Sequence, residues 1–172
     1  MKLDIHTHID SADPDALRAF AETCERTETI ACLCTAGPRS EQDYPDNGAT
    51  LAAARRYPGR IIPFAFVDLW ETADADEVSR YADQGFKGLK CINPYYPYDH
   101  DGYMPVYERA EQLKLPILFH TGAYRPNRHH PIHRRPVLTN MHPLTLDRIA
   151  RSFPGLNLVL AHLGTTFFRR EA

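Results

Sequence analysis

The chain has 172 residues, of which 43% are hydrophobic and 24% are charged, and its formal net charge is −2. This length and composition predict one globular domain over residues 1–172, and the near-neutral charge argues against a general nucleic-acid binder, which needs a basic surface. No apolar run is long enough to cross a bilayer, which argues against a membrane protein.

Cysteine usage indicates a reducing compartment. The four cysteines form no C-x-x-C motif and no disulfide framework. Met1 leads directly into a predicted strand, without the basic and apolar segments of a secretory signal. We therefore expect a cytoplasmic protein with reduced thiols. Cys32 and Cys34 are a weak metal-ligand pair, and a buried strand of small apolar residues explains them better.

The amino-terminal half alternates between strand-like and helix-like segments. Leu3 and Ile5 indicate a short first strand, and Asp13 followed by Pro14 predicts the N-cap and first turn of a helix. The next elements are predicted as a strand at 29–37, a helix at 47–57, a strand at 61–68 and a helix at 74–84.

The carboxyl-terminal half continues the same alternation. Its elements are predicted as a strand at 86–93, a helix at 104–113, a strand at 116–122, a long loop at 123–142, a helix at 144–153 and a strand at 156–164. Apolar strands that are buried on both faces and followed by helices indicate a parallel sheet with helical crossovers.

Four histidines lie at or near the ends of predicted strands. His6 and His8 are two apart on the first strand and point to the same side. His120 and His162 end the fifth and sixth strands, and active sites assemble at the carboxyl ends of parallel strands. Neutral imidazole is a preferred ligand of zinc and its first-row neighbours. The alternative is that these are core histidines satisfied by hydrogen bonds to neighbouring groups.

Motifs along nearly the whole chain resemble those of the amidohydrolase superfamily. They are similar to the amidohydrolase-2 branch, which includes decarboxylases like aminocarboxymuconate semialdehyde decarboxylase. The matching motifs are Asp4-Ile-His6-Thr-His8, Gly85-Phe-Lys-Gly-Leu-Lys90, Leu118-Phe-His120-Thr-Gly122 and Leu160-Ala-His162-Leu-Gly164.

This resemblance implies a fold and a metal site. The fold would be an α/β (β/α)8 TIM-type barrel, to which this chain contributes about six βα units. His6, His8 and His120 would be metal ligands, and His162 would bind a second metal or act on the metal-bound water as the catalytic base. Zinc is the usual metal, with manganese or magnesium in some relatives, and a second metal stays open.

The chain departs from the family pattern in two places. The family aspartate at the end of the eighth strand has no counterpart here, and we expect a further segment or another copy of the chain to complete the barrel. Lys90 is followed by Cys91 where relatives often carry Leu-His. A carbamylated Lys90 that bridges two metals is one interpretation. An ordinary lysine that pairs with a carboxylate is the favoured one.

Two loops are candidates for substrate binding. The tyrosine-rich loop after the fourth strand offers Tyr95 and Tyr96, whose rings suit small aromatic or unsaturated ligands. The loop after the fifth strand offers Arg125 and Arg128, which suit a carboxylate. The alternative for the tyrosine-rich loop is a cover over the barrel or a subunit interface. The alternative for the arginine-rich loop is a solvated or intersubunit loop.

The sequence therefore predicts a metal-dependent hydrolase that uses metal-activated water on a small, anionic substrate. A non-oxidative decarboxylase on the same scaffold is the first alternative, because it would use nearly the same ligands. A metal-binding protein without turnover is the second.

Overall fold

The computed structural model describes residues 1–9, 11, 13–37, 44–70, 73–123 and 137–165. Strands and helices alternate in the order β1 (Lys2–Thr7), α1 (Pro14–Arg26), β2 (Thr29–Cys34), α2 (Asn47–Arg56), β3 (Ile61–Phe66), α3 (Ala75–Gln84), β4 (Gly88–Cys91), α4 (Met104–Gln112), β5 (Ile117–His120), α5 (Thr145–Ser152) and β6 (Leu158–Ala161). Short 3₁₀ turns cover Asp101–Tyr103, Leu138–Met141 and His162–Gly164. The predicted alternation is confirmed.

The six strands form one parallel sheet in sequence order, from β1 to β6. Strands that follow each other in the chain are neighbours in the sheet, and a helix separates each pair. The described residues have the architecture of a (β/α)8 barrel with six of its strands and the five helices between them, and the predicted fold is confirmed. Because all strands run the same way, all their carboxyl ends lie at one edge of the sheet.

Within the described part of the chain, β1 and β6 do not pair with each other, so they are the two edges of the sheet. Leu3 is 59% exposed and Ile5 42% exposed on β1, whereas every residue of β4 and β5 is buried. A further segment or another copy of the chain would have to pair with these edges to complete the barrel, and that expectation stays a prediction.

The main core lies between the sheet and helices α3, α4 and α5. Val78, Val106 and Ile149 each present a fully buried side chain from one of these helices. A smaller cluster on β2, β3, β5 and β6 includes Cys32 and Cys34. Full burial of a valine or isoleucine side chain stabilises the fold by about 1.5–3 kcal/mol. Cys32 and Cys34 are core residues, as expected, because they are buried in this cluster.

Local capping signals place the helix ends. The carboxylates of Asp13, Asp46 and Asp74 accept hydrogen bonds from backbone N–H groups in the first turns of α1, α2 and α3, at 2.7, 2.7 and 2.9 Å. Gly85 ends α3 in the left-handed conformation, with φ of 106°. No helix in the described ranges is long and apolar enough to span a membrane.

The observed strands are shorter than the predicted ones at their carboxyl ends. The sixth strand is predicted to residue 164 but ends at Ala161, because His162 and Leu163 adopt positive φ angles of 69° and 46°. Asn93, after β4, also has a positive φ of 53°. A residue in the left-handed conformation cannot continue a strand, so the chain turns away from the sheet at His162 and at Asn93.

Candidate metal centre and active site

His6 and His8 meet at the carboxyl end of β1. Their Nε2 atoms are 3.0 Å apart. β1 contains one more residue than β2 between the pairs Asp4–Ala31 and Thr7–Leu33, which is the pattern of a β-bulge. The Nδ1 of His8 lies 2.8 Å from the carbonyl oxygen of Cys34 and must donate to it, since a carbonyl only accepts. The Nε2 of His8 is therefore the acceptor, in the form that a metal needs.

The structure brings all four predicted histidines into one row. The ring centroid of His162 lies 4.9 Å from that of His6 and 4.6 Å from that of His120. The order is thus His8, His6, His162 and His120. The Nε2 of His120 donates to the carbonyl of Ala123 at 2.9 Å, which leaves Nδ1 as the acceptor of that ring.

A tight turn after β6 positions His162. Thr121 is fully buried beside it, and its hydroxyl donates to the carbonyl of Ala161 at 2.6 Å and accepts from the N–H of Gly164 at 2.9 Å. Gly122, with φ of 88°, packs so closely that a Cβ there would lie 2.4 Å from the carbonyl carbon and oxygen of Gly164. A non-glycine residue in a left-handed conformation costs about 1–3 kcal/mol. The contacts from the end of β5 hold His162 in that conformation.

Lys90 on β4 is fully buried and reaches the same row. Its Nζ lies 3.1 Å from the Nε2 of His6. The carboxylate partner favoured from the sequence is absent among the residues that the structure describes. In the described residues a histidine stands where the carboxylate was expected, and pairing of Lys90 with a carboxylate elsewhere in the chain stays a prediction.

Burial and Lys90 keep the imidazoles of His6, His120 and His162 neutral. The pKa of His6 is lowered to about 2, first by burial and then by the positive charge of Lys90. The same two causes lower the pKa of His120 to about 3 and also lower that of His162. Burial lowers the pKa of Lys90 to about 8, so its amine is still mostly protonated at neutral pH. Neutral imidazoles beside one ammonium are the resulting charge state.

The donor set at β1 fits a divalent metal. Ligand atoms of His6, His8 and Cys34 lie within 4.8 Å of one another. Two nitrogens on a tetrahedral zinc, with bonds of about 2.0–2.1 Å, are about 3.3 Å apart, close to the separation of the two Nε2 atoms. Burial raises the pKa of the Cys34 thiol to about 11. A protonated thiol is a poor ligand, so Cys34 is the weaker third donor.

A cavity of about 380 Å³ lies beside the histidine row and was not foreseen from the sequence. Tyr44 lines it, and its ring centroid is 5.0 Å from that of His8. Asn47 and Phe66 form another wall, where the Asn47 amide donates to the Phe66 carbonyl at 3.0 Å and accepts from its N–H at 2.7 Å. Its other lining residues are Thr35, Gly37, Asp46 and Gly48.

The tyrosine-rich loop divides into an exposed and a buried part. Tyr95 and Tyr96 are 42% and 39% exposed, and their ring centroids are 4.8 Å apart. Tyr98 and Tyr103 are buried, and the Tyr98 hydroxyl donates to the carbonyl of His120 at 2.9 Å. Tyr98 therefore helps to hold the β5 end at His120, and the exposed Tyr95 and Tyr96 are the candidates for ligand contact.

The candidate residues Arg125 and Arg128 lie outside the described residues. Their role in substrate binding stays a prediction.

A family model described as Amidohydrolase matches residues 3–171. The chain belongs to this amidohydrolase family. Enzymes of the family use divalent metals, in agreement with the donor set at β1. No curated protein sequence matches the chain.

Solved structures with similar folds include a decarboxylase and a dihydroorotase. The 2,6-dihydroxybenzoate decarboxylase from Rhizobium has 20% sequence identity and a TM-score of 0.66, over 96% of this chain and 67% of that one. The dihydroorotase from Campylobacter jejuni has 19% identity and a TM-score of 0.55, over 92% of this chain and 46% of that one.

A third similar structure contains a metal. The 5-carboxyvanillate decarboxylase from Novosphingobium aromaticivorans, with bound manganese and 3-methoxy-4-hydroxy-5-nitrobenzoic acid, has 22% identity and a TM-score of 0.54, over 79% of this chain and 46% of that one. At these identities the likeness of the three structures concerns the fold.

Proposed function

We propose that the histidine row holds one divalent metal through His6, His8 and His120. The observation that supports it is the pair of Nε2 atoms 3.0 Å apart within a row of neutral imidazoles. Zinc is our first choice, and manganese, which one similar structure contains, and magnesium are alternatives. A second metal stays open.

The proposed reaction is hydrolysis of a small carboxylate-bearing substrate. When bound, the metal supplies Lewis acidity and an activated water. His162 is the catalytic base and accepts the proton at a ring nitrogen, because it is the most exposed ring of the row and its lowered pKa keeps it neutral.

The substrate body would occupy the space beside the row. The cavity next to His8 is lined by the aromatic rings of Tyr44 and Phe66, which suit a flat apolar ligand. Tyr95, Tyr96, Arg125 and Arg128 are proposed as further substrate-binding residues, the arginines for the carboxylate.

Non-oxidative decarboxylation is the second candidate. Two of the similar structures are decarboxylases of aromatic carboxylates. The same residues would serve that reaction. His162 would take up a proton from solvent and, as imidazolium, pass it to the ring carbon that releases carbon dioxide, which returns the imidazole to its neutral form. Hydrolysis and decarboxylation are therefore two alternative functions of the same site.

A paired assay separates the two reactions. Protein loaded with zinc or manganese is incubated with 2,6-dihydroxybenzoate, and release of carbon dioxide and resorcinol is followed. The same protein is incubated with dihydroorotate, and ring opening is followed. Turnover of either kind should disappear in His162→Asn.

Metal binding without any turnover in a broader panel of carboxylates would favour the third candidate, a metal-binding protein that does not catalyse. A homo-oligomer and a cytoplasmic location also stay predictions, which the solution mass and cell fractionation would test.

A further inference from the structure

Lys90 is a buried lysine that has no anionic partner in the described part of the chain. It lies on β4, its side chain is fully buried, and in the described part of the chain its one hydrogen-bond partner is the Nε2 of His6, at 3.1 Å. A buried charge that lacks an opposite charge is costly, and folded proteins retain such a group where a ligand or partner compensates for it.

The hydrogen-bonding roles around His6 are in conflict. The Nε2 of His8 must be an acceptor, because the Nδ1 of that ring donates to a carbonyl. The amine of Lys90 in its ammonium form only donates. The Nε2 of His6, which contacts both, cannot donate to one and accept from the other. When it accepts from Lys90, two lone pairs face each other across 3.0 Å, which is a position for a cation.

A metal at that position would remove the acceptor of Lys90. The lone pair of His6 that accepts from the lysine is the one that a metal would take. The ammonium would then be buried near a second positive charge, with no acceptor among the described residues. A negatively charged oxygen beside Lys90 would accept a hydrogen bond from the ammonium and would also offset the positive charge of the metal.

A second buried donor follows the same strand. The Nδ2 of Asn93 is buried without a hydrogen-bond partner among the described residues, and this residue has a positive φ of 53°. Unsatisfied buried donors are rare in folded proteins and commonly mark a place where a ligand or water binds. The end of β4 thus carries two buried donor groups, Lys90 and Asn93, and donors are what an anion requires.

We propose that Lys90 binds an anionic oxygen of the substrate at the histidine row and so makes the site selective for carboxylate-bearing ligands. The proposal rests on the proposed function, because it assumes a metal on His6 and His8. In this proposal the buried Lys90 binds the anionic oxygen, whether or not Arg125 and Arg128 also contact the substrate.

The test compares a charged and a neutral probe of nearly the same size. Cobalt(II)-loaded protein is titrated with acetate and with acetamide, and binding is followed by the visible spectrum of the metal. Acetate and acetamide are small enough to enter the metal site regardless of which natural substrate it binds. Wild-type protein should bind acetate more tightly than acetamide.

Lys90→Met should weaken acetate binding by about 30-fold or more, because it removes one partner of a buried charge pair, and should leave acetamide binding unchanged. Lys90→Gln is the second variant, and circular dichroism checks both folds. Lys87→Met is the matched control, since Lys87 is an exposed lysine three positions earlier, and should bind like the wild type. Equal acetate affinity in wild type and both Lys90 variants would overturn the proposal.

Other readouts separate this proposal from the proposed function. If the wild-type protein binds no metal, both the proposed function and the Lys90 proposal are overturned. If it binds metal without a preference for acetate over acetamide, only the Lys90 proposal is overturned. Metal affinity should rise in Lys90→Met, because a positive charge near the metal is removed. After equilibration with labelled bicarbonate, a carbamate NMR signal that is lost in Lys90→Met would show a modified, anionic lysine and would also overturn the proposal.

Discussion

At the scale of single residues, the site depends on two imidazoles at the end of one strand. His6→Ala or His8→Ala should remove most of the bound metal while the fold stays intact, since both side chains are half-buried at the sheet edge and contribute little to the core. Metal content after dialysis and circular dichroism are the measurements.

His100→Ala is the control for this prediction, because His100 stacks on Tyr96 at 4.2 Å, outside the histidine row. Undiminished metal content in both His6→Ala and His8→Ala would contradict the assigned ligands.

The stability of the metal-free protein should depend on Lys90 and on pH. The pKa of Lys90 falls from 10.5 to about 8 on folding, because burial disfavours the ammonium. The folded state therefore binds fewer protons, and stability falls as the pH drops from 10.5 towards 8. Below pH 8 the full cost applies. Lys90→Met should therefore stabilise the metal-free protein at neutral pH by up to about 3 kcal/mol.

Urea unfolding at neutral pH and near pH 10.5 measures this effect, and the gain should vanish at the higher pH. The groups that interact electrostatically with Lys90 also titrate, namely His6, His120, His162, Cys34 and Cys91. Lys87→Met corrects for changes in surface charge. A Lys90→Met protein no more stable than wild type at neutral pH would mean that the native amine already has a compensating charge.

At the scale of elements, the close approach of the β5 and β6 ends positions His162. Gly122→Ala should destabilise the protein, because its Cβ would lie 2.4 Å from the backbone of Gly164 and because φ is 88°. The steric conflict should add about 1–3 kcal/mol to the conformational cost. It should also displace His162 and reduce any turnover.

Gly59→Ala isolates the conformational part of this cost. Gly59 has a similar φ of 78°, but a Cβ there meets no atom within 4 Å. Unfolding free energies of the two variants are compared with that of the wild type. Equal losses in both would show that the close approach to Gly164 is relieved by a small shift.

At the scale of the whole molecule, the β1 edge should make the 172-residue chain self-associate. An unpaired strand with exposed aliphatic side chains is a template for further strands. Leu3→Lys should lower the apparent mass at high protein concentration in light scattering, because a charge on the edge opposes pairing. Leu144→Lys is a matched control, since both leucines are 59% exposed and Leu144 is the N-cap residue of α5 rather than part of a strand.

If Leu144→Lys lowers the mass as much as Leu3→Lys does, general hydrophobicity rather than the strand edge drives association. A monomer at all concentrations in the wild type would show that the edge is protected by other means.

The sequence by itself determined the order of elements and the position of the histidines. Aspartate caps, glycine and proline stops and apolar periodicity are local signals, so they are readable without the fold. Because parallel strands place their carboxyl ends at one edge, His6, His8, His120 and His162 were predicted to lie together, and the structure confirms their proximity.

Only the tertiary structure decided what surrounds each histidine. The neighbour of Lys90, the burial of Tyr98 against exposed Tyr95, and the cavity beside His8 depend on residues far apart in the chain. The left-handed turn at His162 has no local sequence signal, because its cost is offset by contacts from β5. Local propensity sets where an element begins and ends, whereas packing between distant elements sets the partners of each side chain.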